Sequence, residues 1–186
     1  MALALFPFLA VAQPPASRRA LADSFHQKLE HIQKNAAEKR PSTTPTILRE
    51  DEVNAYFAER RLKIPEGVES VRFELHADEV IGYTTVDFEK FRKGKPDSDP
   101  LLAIFDGVHD CEVTARADQS ANGKVRVSIE KVKLDGVRIP KIVLEMFIER
   151  FVNPKFPKVG LDRTYDLPAR IDKATIEEHQ GRIVQR

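Results

Sequence analysis

The sequence lacks several features on which common protein functions depend. It contains a single cysteine, Cys111, so no disulfide can form within the chain. Its 30 lysine and arginine residues are balanced by 29 aspartate and glutamate residues, which leaves a formal net charge of +1. Proteins that bind nucleic acid usually carry a clustered excess of positive charge, so we expect no nucleic-acid partner. No internal repeat stands out, and 186 residues are enough for one domain rather than two.

Motifs for catalysis and metal binding are also scarce. His109 and Cys111 lie on one face of a predicted strand, as a nucleophile pair or part of a metal site would need. The rest of that face is Val113, Ala115 and Ala117, so we interpret both residues as structural. The segment "RKGKP" lacks the glycine spacing of a phosphate-binding loop and the helix that follows one. We therefore expect a protein that is not an enzyme and that uses no cofactor and no metal.

An apolar run, "ALALFPFLAVAQPP", follows Met1. Ala10 and Ala12 are small residues at the spacing that signal peptidase requires. The run is shorter than the roughly 20 residues that cross a bilayer, so we expect no retained anchor. No lysine or arginine precedes the run, which departs from the usual signal peptide. We predict a signal peptide over residues 1–12 and a periplasmic or secreted protein.

Two helices are predicted after this segment. The first, over residues 18–39, has an apolar stripe at spacings of three and four, which ends before Pro41 and consists of Leu21, Phe25, Leu29, Ile32 and Ala36. Its other faces are charged, so we expect it to pack outside the body or to contact a membrane surface or envelope protein. With the linker "RPSTTPT" it forms a segment over residues 13–45. The second helix spans roughly Glu50 to Arg61.

From Val68 the apolar residues alternate with polar ones, which predicts strands with one apolar and one charged face. Turns separate these strands at Asp78-Glu79, Asn122-Gly123, Asp135-Gly136 and Gln180-Gly181. The alternation changes parity after Lys131, which indicates a β-bulge. These patterns predict an antiparallel sheet of long strands.

One very apolar helix interrupts the strands. From Ile142 to Val152, eight of eleven residues are apolar, whereas a helix that packs on one side needs only an apolar stripe. A long, curved antiparallel sheet that wraps around this helix would cover it. The predicted fold is therefore α+β, with residues 46–186 as a single domain and the amphipathic helix before it.

The order of these segments resembles the TULIP-like lipid-binding proteins of the bacterial periplasm, of the LmeA and YceB types. The resemblance runs from about Thr46 to Val184. Its sharpest points are Leu134-Asp135-Gly136 to Pro140, and Leu167-Pro168. It implies a curled sheet around a helix that holds acyl chains, and it implies no catalytic residues.

A curved sheet that does not fill the space around its helix leaves an apolar cleft. We predict that this cleft binds a phospholipid-like ligand, and the residues that we expect to line it are Phe73, Leu75, Val86, Phe88, Phe105, Val113, Val127, Ile129, Met146, Phe147 and Phe151. Phe156 is a further large apolar residue of this region. Two alternatives remain open at this point. The helix could lie in a filled core, and the chain could be a non-catalytic envelope protein-interaction or structural module.

Overall fold

The computed structural model describes residues 17–92, 105–119, 122–154, 157 and 159–186. The predicted signal peptide, residues 93–104 and Phe156 lie outside these residues. The helices are α1 (Arg18–Ala37), α2 (Glu50–Ala58), α3 (Glu89–Arg92) and α4 (Lys141–Phe147), which continues as a π-helix over Ile148–Val152. The strands are β1 (Thr46–Arg49), β2 (Val68–His76), β3 (Glu79–Asp87), β4 (Val108–Gln119), β5 (Lys124–Leu134), β6 (Val137–Arg138), β7 (Asp162–Asp166), β8 (Ile171–Glu177) and β9 (Gln180–Gln185).

The larger of two sheets has six strands in the order β2-β3-β4-β5-β6, and β7 pairs with β5 beside β6. Every pairing in it is antiparallel, which confirms the α+β class and the antiparallel sheet. The pairing register shifts between Thr114 and Ala115, opposite Lys131 and Ile129. The predicted bulge therefore lies at Glu130, one residue before the predicted position. It keeps the apolar residues of β5 on one face on both sides of the irregularity.

The turns between these strands follow the glycine and asparagine signals. Asn122 and Gly123 have φ values of 69° and 73°, and Asp135 and Gly136 have values of 47° and 80°. Two consecutive residues with positive φ give the twist that antiparallel neighbours need. Two other predicted turns were shifted along the chain. The β2–β3 turn lies at Ala77-Asp78, and the β8–β9 turn lies at Glu178-His179 rather than at Gln180-Gly181.

The smaller sheet joins distant parts of the chain in the order β1-β9-β8. Its β8–β9 turn contacts the end of the larger sheet, because the His179 N–H donates to the Leu75 carbonyl at 2.9 Å. The Glu50 N–H at the start of α2 donates in turn to the His179 carbonyl, also at 2.9 Å. These two bonds hold the two sheets and α2 together. Within the part of the chain described, no helix is long and apolar enough to span a membrane.

Helix α1 packs against α2 and does not stand apart from the body. Ala22 is 0% exposed, and it forms a small core with Phe25, Ala55 and Tyr56. Asn35, near the end of α1, donates a hydrogen bond of 2.8 Å to the Gln185 side chain of β9. The helix α1 is thus joined to the rest of the fold.

Helix α4 lies against one end of the larger sheet. Its inner side packs on a cluster that contains Val86, Phe88, Phe105, Leu134 and Ile139. On its outer side, Ile142 is 63% exposed and Met146 is 47% exposed. A sheet that covers all sides of this helix, as the sequence predicted, is therefore not seen among the described residues. The connection before α4 is short, because the helix begins three residues after the two-residue strand β6. This connection keeps α4 at one end of the sheet, where the sheet covers only its inner side.

Candidate apolar binding site

One face of the larger sheet is built from rows of apolar side chains across neighbouring strands. In the first row, Phe73 of β2 is paired with Gly82 of β3, and Gly82 with Val113 of β4. In the next row, Val80 of β3 is paired with Leu75 on one side and with Ala115 on the other. Side chains of paired residues point to the same face of a sheet, so these rows form a continuous apolar surface.

A pocket of about 240 Å³ lies on this surface. Its walls are apolar, and its lining residues are Val68, Val71, Phe73, Val80, Gly82, Tyr83, Thr84, Val113 and Ala115. All of them are half-buried, so that the pocket is open to solvent. Within this part of the sheet, the apolar side chains are thus incompletely covered by the other described residues.

Gly82 lies in this pocket, beside the ring of Phe73. A Cβ atom at Gly82 would lie 3.6 Å from the Phe73 ring, which is an ordinary contact distance. The glycine therefore leaves the side-chain space beside the ring empty. A larger residue would occupy this space, because side chains at this position point to the apolar face. The depth of the pocket depends on the absence of a side chain here.

Helix α2 borders the pocket along the free edge of β2. The Phe57 ring contacts the Phe73 ring edge-on, with centroids 5.2 Å apart. The Asn54 side chain accepts from the Phe73 N–H at 2.7 Å and donates to the Phe73 carbonyl at 2.8 Å. The Glu50 carboxylate accepts from the Leu75 N–H at 2.7 Å. These side chains replace a neighbouring strand, so the sheet ends at β2 beside the pocket.

On the other side, the aromatic cluster beneath α4 borders the same face. The Phe105 and Phe147 rings lie 4.3 Å apart between their centroids, and Phe88 lies 5.3 Å from Phe105. Cys111 and Leu134, which are paired in the sheet, pack in this cluster. The cluster is buried, so it is a small filled core and not a continuation of the open pocket.

The structure therefore divides the predicted cleft residues into groups. Phe73 and Val113 line the open pocket. Val86, Phe88, Phe105 and Phe147 form the cluster beneath α4, and Phe151 is buried against Phe147. The remaining residues do not line the pocket and do not belong to the cluster: Leu75 is buried near the β8–β9 turn, Val127 and Ile129 are half-buried on β5, and Met146 is exposed on α4.

Several pocket residues were missed by the sequence prediction, among them Val71, Val80, Gly82 and Ala115. All four belong to the alternating apolar face that the sequence did indicate. What identifies them as one site is the pairing register, which aligns Gly82 with both Phe73 and Val113. A residue-by-residue search for large side chains overlooks small residues, although these are the ones that leave space.

A second groove, of about 390 Å³, runs along the outer side of α4. Its apolar part consists of Ile142, Met146, Ile148, Val159 and Leu161. Charged side chains lie between these residues, for example Lys141 and Glu145, so the walls are mixed. This groove is thus chemically different from the apolar pocket on the sheet.

His109 and Cys111 have structural surroundings. The hydrogen bond between His109 Nδ1 and the Asp135 carboxylate, 2.6 Å long, raises the pKa of the imidazole. Burial raises the pKa of the Cys111 thiol to about 11, so the thiol is protonated near neutral pH. Within the described ranges, no group of three histidine, cysteine, aspartate or glutamate side chains could hold a metal ion. The pair thus lacks the activated thiol that nucleophilic catalysis requires.

The opposite face of the sheet carries many charged side chains. Its ion pairs join neighbouring strands, as in Arg116 with Glu130 at 2.8 Å and Lys133 with Glu112 at 2.8 Å. Asp162 is paired with Arg126 in the same way. These exposed cross-strand pairs stabilise the sheet only weakly, and their role is to keep this face in water.

Comparisons with known proteins do not assign the chain to a family. No family model, no curated protein and no solved structure matches it.

Proposed function

We propose that the chain binds an acyl chain of a phospholipid-like lipid in the apolar pocket of the larger sheet, as a non-catalytic lipid-binding or carrier protein of the cell envelope. The observation that carries this proposal is the pocket around Gly82, which has apolar walls and half-exposed side chains. Apolar surface exposed to water in a concave site is the usual mark of an apolar ligand. The resemblance to the periplasmic TULIP-like proteins and the predicted signal peptide support the same function.

The size of the pocket limits what it holds. Pockets that bury a whole drug-sized ligand have volumes of roughly 300–1,000 Å³, and this one has about 240 Å³. It accommodates part of one acyl chain, and we propose that the rest of the chain continues over the apolar face toward α4. Burial of apolar surface contributes roughly 25 cal/mol per Å², so that a single chain binds without a charged partner.

A substitution that fills the pocket tests this function. Ala115→Phe places a ring in the pocket, whereas Ala117→Phe places one on the same strand and face but outside the residues that line it. We expect Ala115→Phe to weaken binding of dansyl-undecanoic acid, a fluorescent fatty acid, by tenfold or more. Ala117→Phe serves as the matched control and should change the affinity by less than about threefold. Fluorescence titration of the purified proteins measures both effects.

Stability measurements on the same variants distinguish an open pocket from a filled core. In an open pocket the new ring of Ala115→Phe displaces no side chain, so the free energy of unfolding should change by less than about 0.5 kcal/mol. In a filled core the same ring would cost about 1–3 kcal/mol by overpacking. Equal fatty-acid affinity in the wild type and in both variants would reject the pocket as the lipid site. A wild-type protein that binds no fatty acid, and carries no lipid when isolated from its native envelope, would reject the function itself.

An envelope protein-interaction module is the second candidate. The exposed apolar residues Ile142, Met146 and Val159 on the groove beside α4 favour it. A photo-crosslinking amino acid at position 146, used in intact cells, tests this candidate. Crosslinks to one defined envelope protein, together with loss of those crosslinks in Ile142→Lys, would support the interaction module. Absence of any protein crosslink would count against it.

A further inference from the structure

A basic hollow lies directly beside the apolar pocket. It has a volume of about 570 Å³, and it is lined by the segment from Arg60 to Glu69 except Arg61, and by Lys90 of α3. Val68, the first residue of β2, lines both the hollow and the apolar pocket. The two sites are therefore adjacent, and one ligand can extend from the first into the second.

Two of the cations in this hollow have no partner in the part of the chain that the structure describes. Arg60 and Lys63 are exposed, and neither side chain forms an ion pair or a side-chain hydrogen bond with a described residue. The third cation, Lys90, is engaged, because its Nζ lies 3.0 Å from Asp87 and 3.6 Å from Glu69. Arg60 and Lys63 are thus the groups available to a negatively charged ligand.

The backbone around the hollow is held in place. The Val68 N–H donates to the Pro65 carbonyl at 3.1 Å, and the Asp87 N–H donates to the Gly67 carbonyl at 2.7 Å. Gly67 has a φ of 97°, a conformation that residues with a side chain rarely adopt. These contacts fix the end of the loop between α2 and β2 to the end of β3, so that the backbone of the hollow is held next to the pocket.

We propose that the hollow binds the anionic headgroup of the ligand whose acyl chain occupies the apolar pocket. This inference rests on the proposed function and names the class of its ligand: an amphiphile with one acyl chain in the pocket and a carboxylate or phosphate group at Arg60 and Lys63. Guanidinium and ammonium groups bind both kinds of anion. The acidic Glu66 and Glu69 also line the hollow, which favours an anion of low charge over a multiply charged one.

The test compares a charged ligand with an uncharged ligand of the same chain. Dansyl-undecanoic acid and its methyl ester differ only in the anionic group, and both are titrated well above the pKa of the carboxyl group. We expect the wild type to bind the acid more tightly than the ester by roughly threefold to tenfold, as two exposed ion pairs supply. In the double variant Arg60→Gln with Lys63→Gln, this preference should fall to about one while affinity for the ester stays the same. The preference should also fall in high salt.

A matched control uses two exposed cations far from the hollow. Lys39→Gln with Arg40→Gln removes the same charge at the end of α1, and the preference for the acid should persist there. Because cations after the C-terminal end of α2 also complement its helix dipole, thermal unfolding is measured for both double variants. A preference that survives in the Arg60 and Lys63 variant, or that is lost equally in the control, would overturn the inference. Failure of the wild type to bind either probe would instead reject the proposed function.

The chemical source of the anion is resolved by displacement of the bound probe. Lysophosphatidylglycerol and decanoate carry a phosphate and a carboxylate, and lysophosphatidylcholine is the zwitterionic comparison. Stronger displacement by lysophosphatidylglycerol than by lysophosphatidylcholine, in the wild type but not in the double variant, assigns a phosphate headgroup. Displacement by decanoate alone with the same dependence on Arg60 and Lys63 assigns a carboxylate. Equal displacement by the zwitterionic and anionic lysolipids, with none by decanoate, contradicts the headgroup site.

Discussion

The apolar region between α1 and α2 and the apolar region around Gly82 are constructed in opposite ways. Between α1 and α2, the side chains of Ala22, Phe25, Ala55 and Tyr56 are buried against one another. On the larger sheet, the side chains around Gly82 are half-buried and surround an open pocket. Both regions have apolar residues at the spacing that their secondary structure requires. Only the first finds a covering element within the described chain.

The two regions also differ in whether their polar groups have partners within the protein. The Glu52 carboxylate lies at the edge of the helical core, where it accepts hydrogen bonds from Lys28 at 2.6 Å and from Ser24 at 2.7 Å. In the sheet pocket the walls are apolar, and Arg60 and Lys63, which have no side-chain partner among the described residues, line the adjacent hollow. The helical region is thus complete without a ligand. The sheet region has an incomplete apolar surface, which is the physical basis for the proposed lipid site.

The largest expected effect is a difference between phenylalanine deletions in the two regions. Phe25→Ala removes a buried ring and leaves a cavity, so we expect a loss of about 3–5 kcal/mol in the free energy of unfolding. Phe73→Ala removes a ring that already faces the open pocket, and a loss of about 1–2 kcal/mol is expected. Chemical denaturation followed by circular dichroism measures both values. Equal losses would show that the sheet face is as tightly packed as the helical core.

A smaller effect is expected from the ion pair that joins the two helices. Burial alone would raise the pKa of Glu52, but the hydrogen bonds from Lys28 and Ser24 outweigh it, and the pKa lies below its ordinary value of 4.5. Lys28→Met should lower the free energy of unfolding at neutral pH by about 1.5–3 kcal/mol, because a buried carboxylate loses a charged partner. A depressed carboxyl pKa stabilises the fold above pH 4.5, so the difference should shrink as the pH falls below that value.

The control for this pair is Lys34→Met on the same helix. Lys34 is 78% exposed and pairs with Glu30 at 3.5 Å, so its loss should cost less than about 0.5 kcal/mol. If Lys28→Met and Lys34→Met lower the free energy of unfolding equally at every pH, the Glu52 contact does not stabilise the packing of α1 against α2.

The smallest expected effect concerns the turn beneath α4. The hydrogen bond with Asp135 raises the pKa of His109 above 6.5, so the pair stabilises the fold below that pH and the effect is lost as the pH rises through the folded value. Asp135→Asn keeps a residue that tolerates the positive φ of this turn. We expect a small loss of thermal stability near pH 6 and almost none near pH 9, because the pair is exposed to solvent. Thermal unfolding at the two pH values tests this, and a pH-independent cost would mean that the turn conformation, not the charge, is responsible.

Much of the larger sheet was predictable because its strands and turns are determined by residues that are close together in the sequence. Alternation assigned the faces of β2 to β5, and the two glycine-containing turns at Asn122 and Asp135 fixed which strands are neighbours. The bulge at Glu130 followed from the change of parity in one strand. The site was less predictable, because the space around Gly82 depends on residues of three strands. Exposure of Ile142 and Met146 was not foreseen, since an all-round apolar helix gives no sign of which side stays uncovered.

The pairing of β1 with β9 has a consequence for the order of folding. Turns join β2 to β3 and β4 to β5, and residues 88–107 join β3 to β4, so the contacts of this sheet require loops that are short compared with the whole chain. The contact of Asn35 with Gln185 instead joins residues 150 positions apart. We expect the sheet to form early during synthesis and the α1 region to dock only after β9 has left the ribosome. The N–H of Glu50 at the start of α2 donates to the His179 carbonyl, so we expect α2 to dock on β2 only after His179 has been synthesised. Until then the Asn54 amide and the Glu50 carboxylate do not cover the free edge of β2, and the nascent sheet is most exposed to mispairing at this edge.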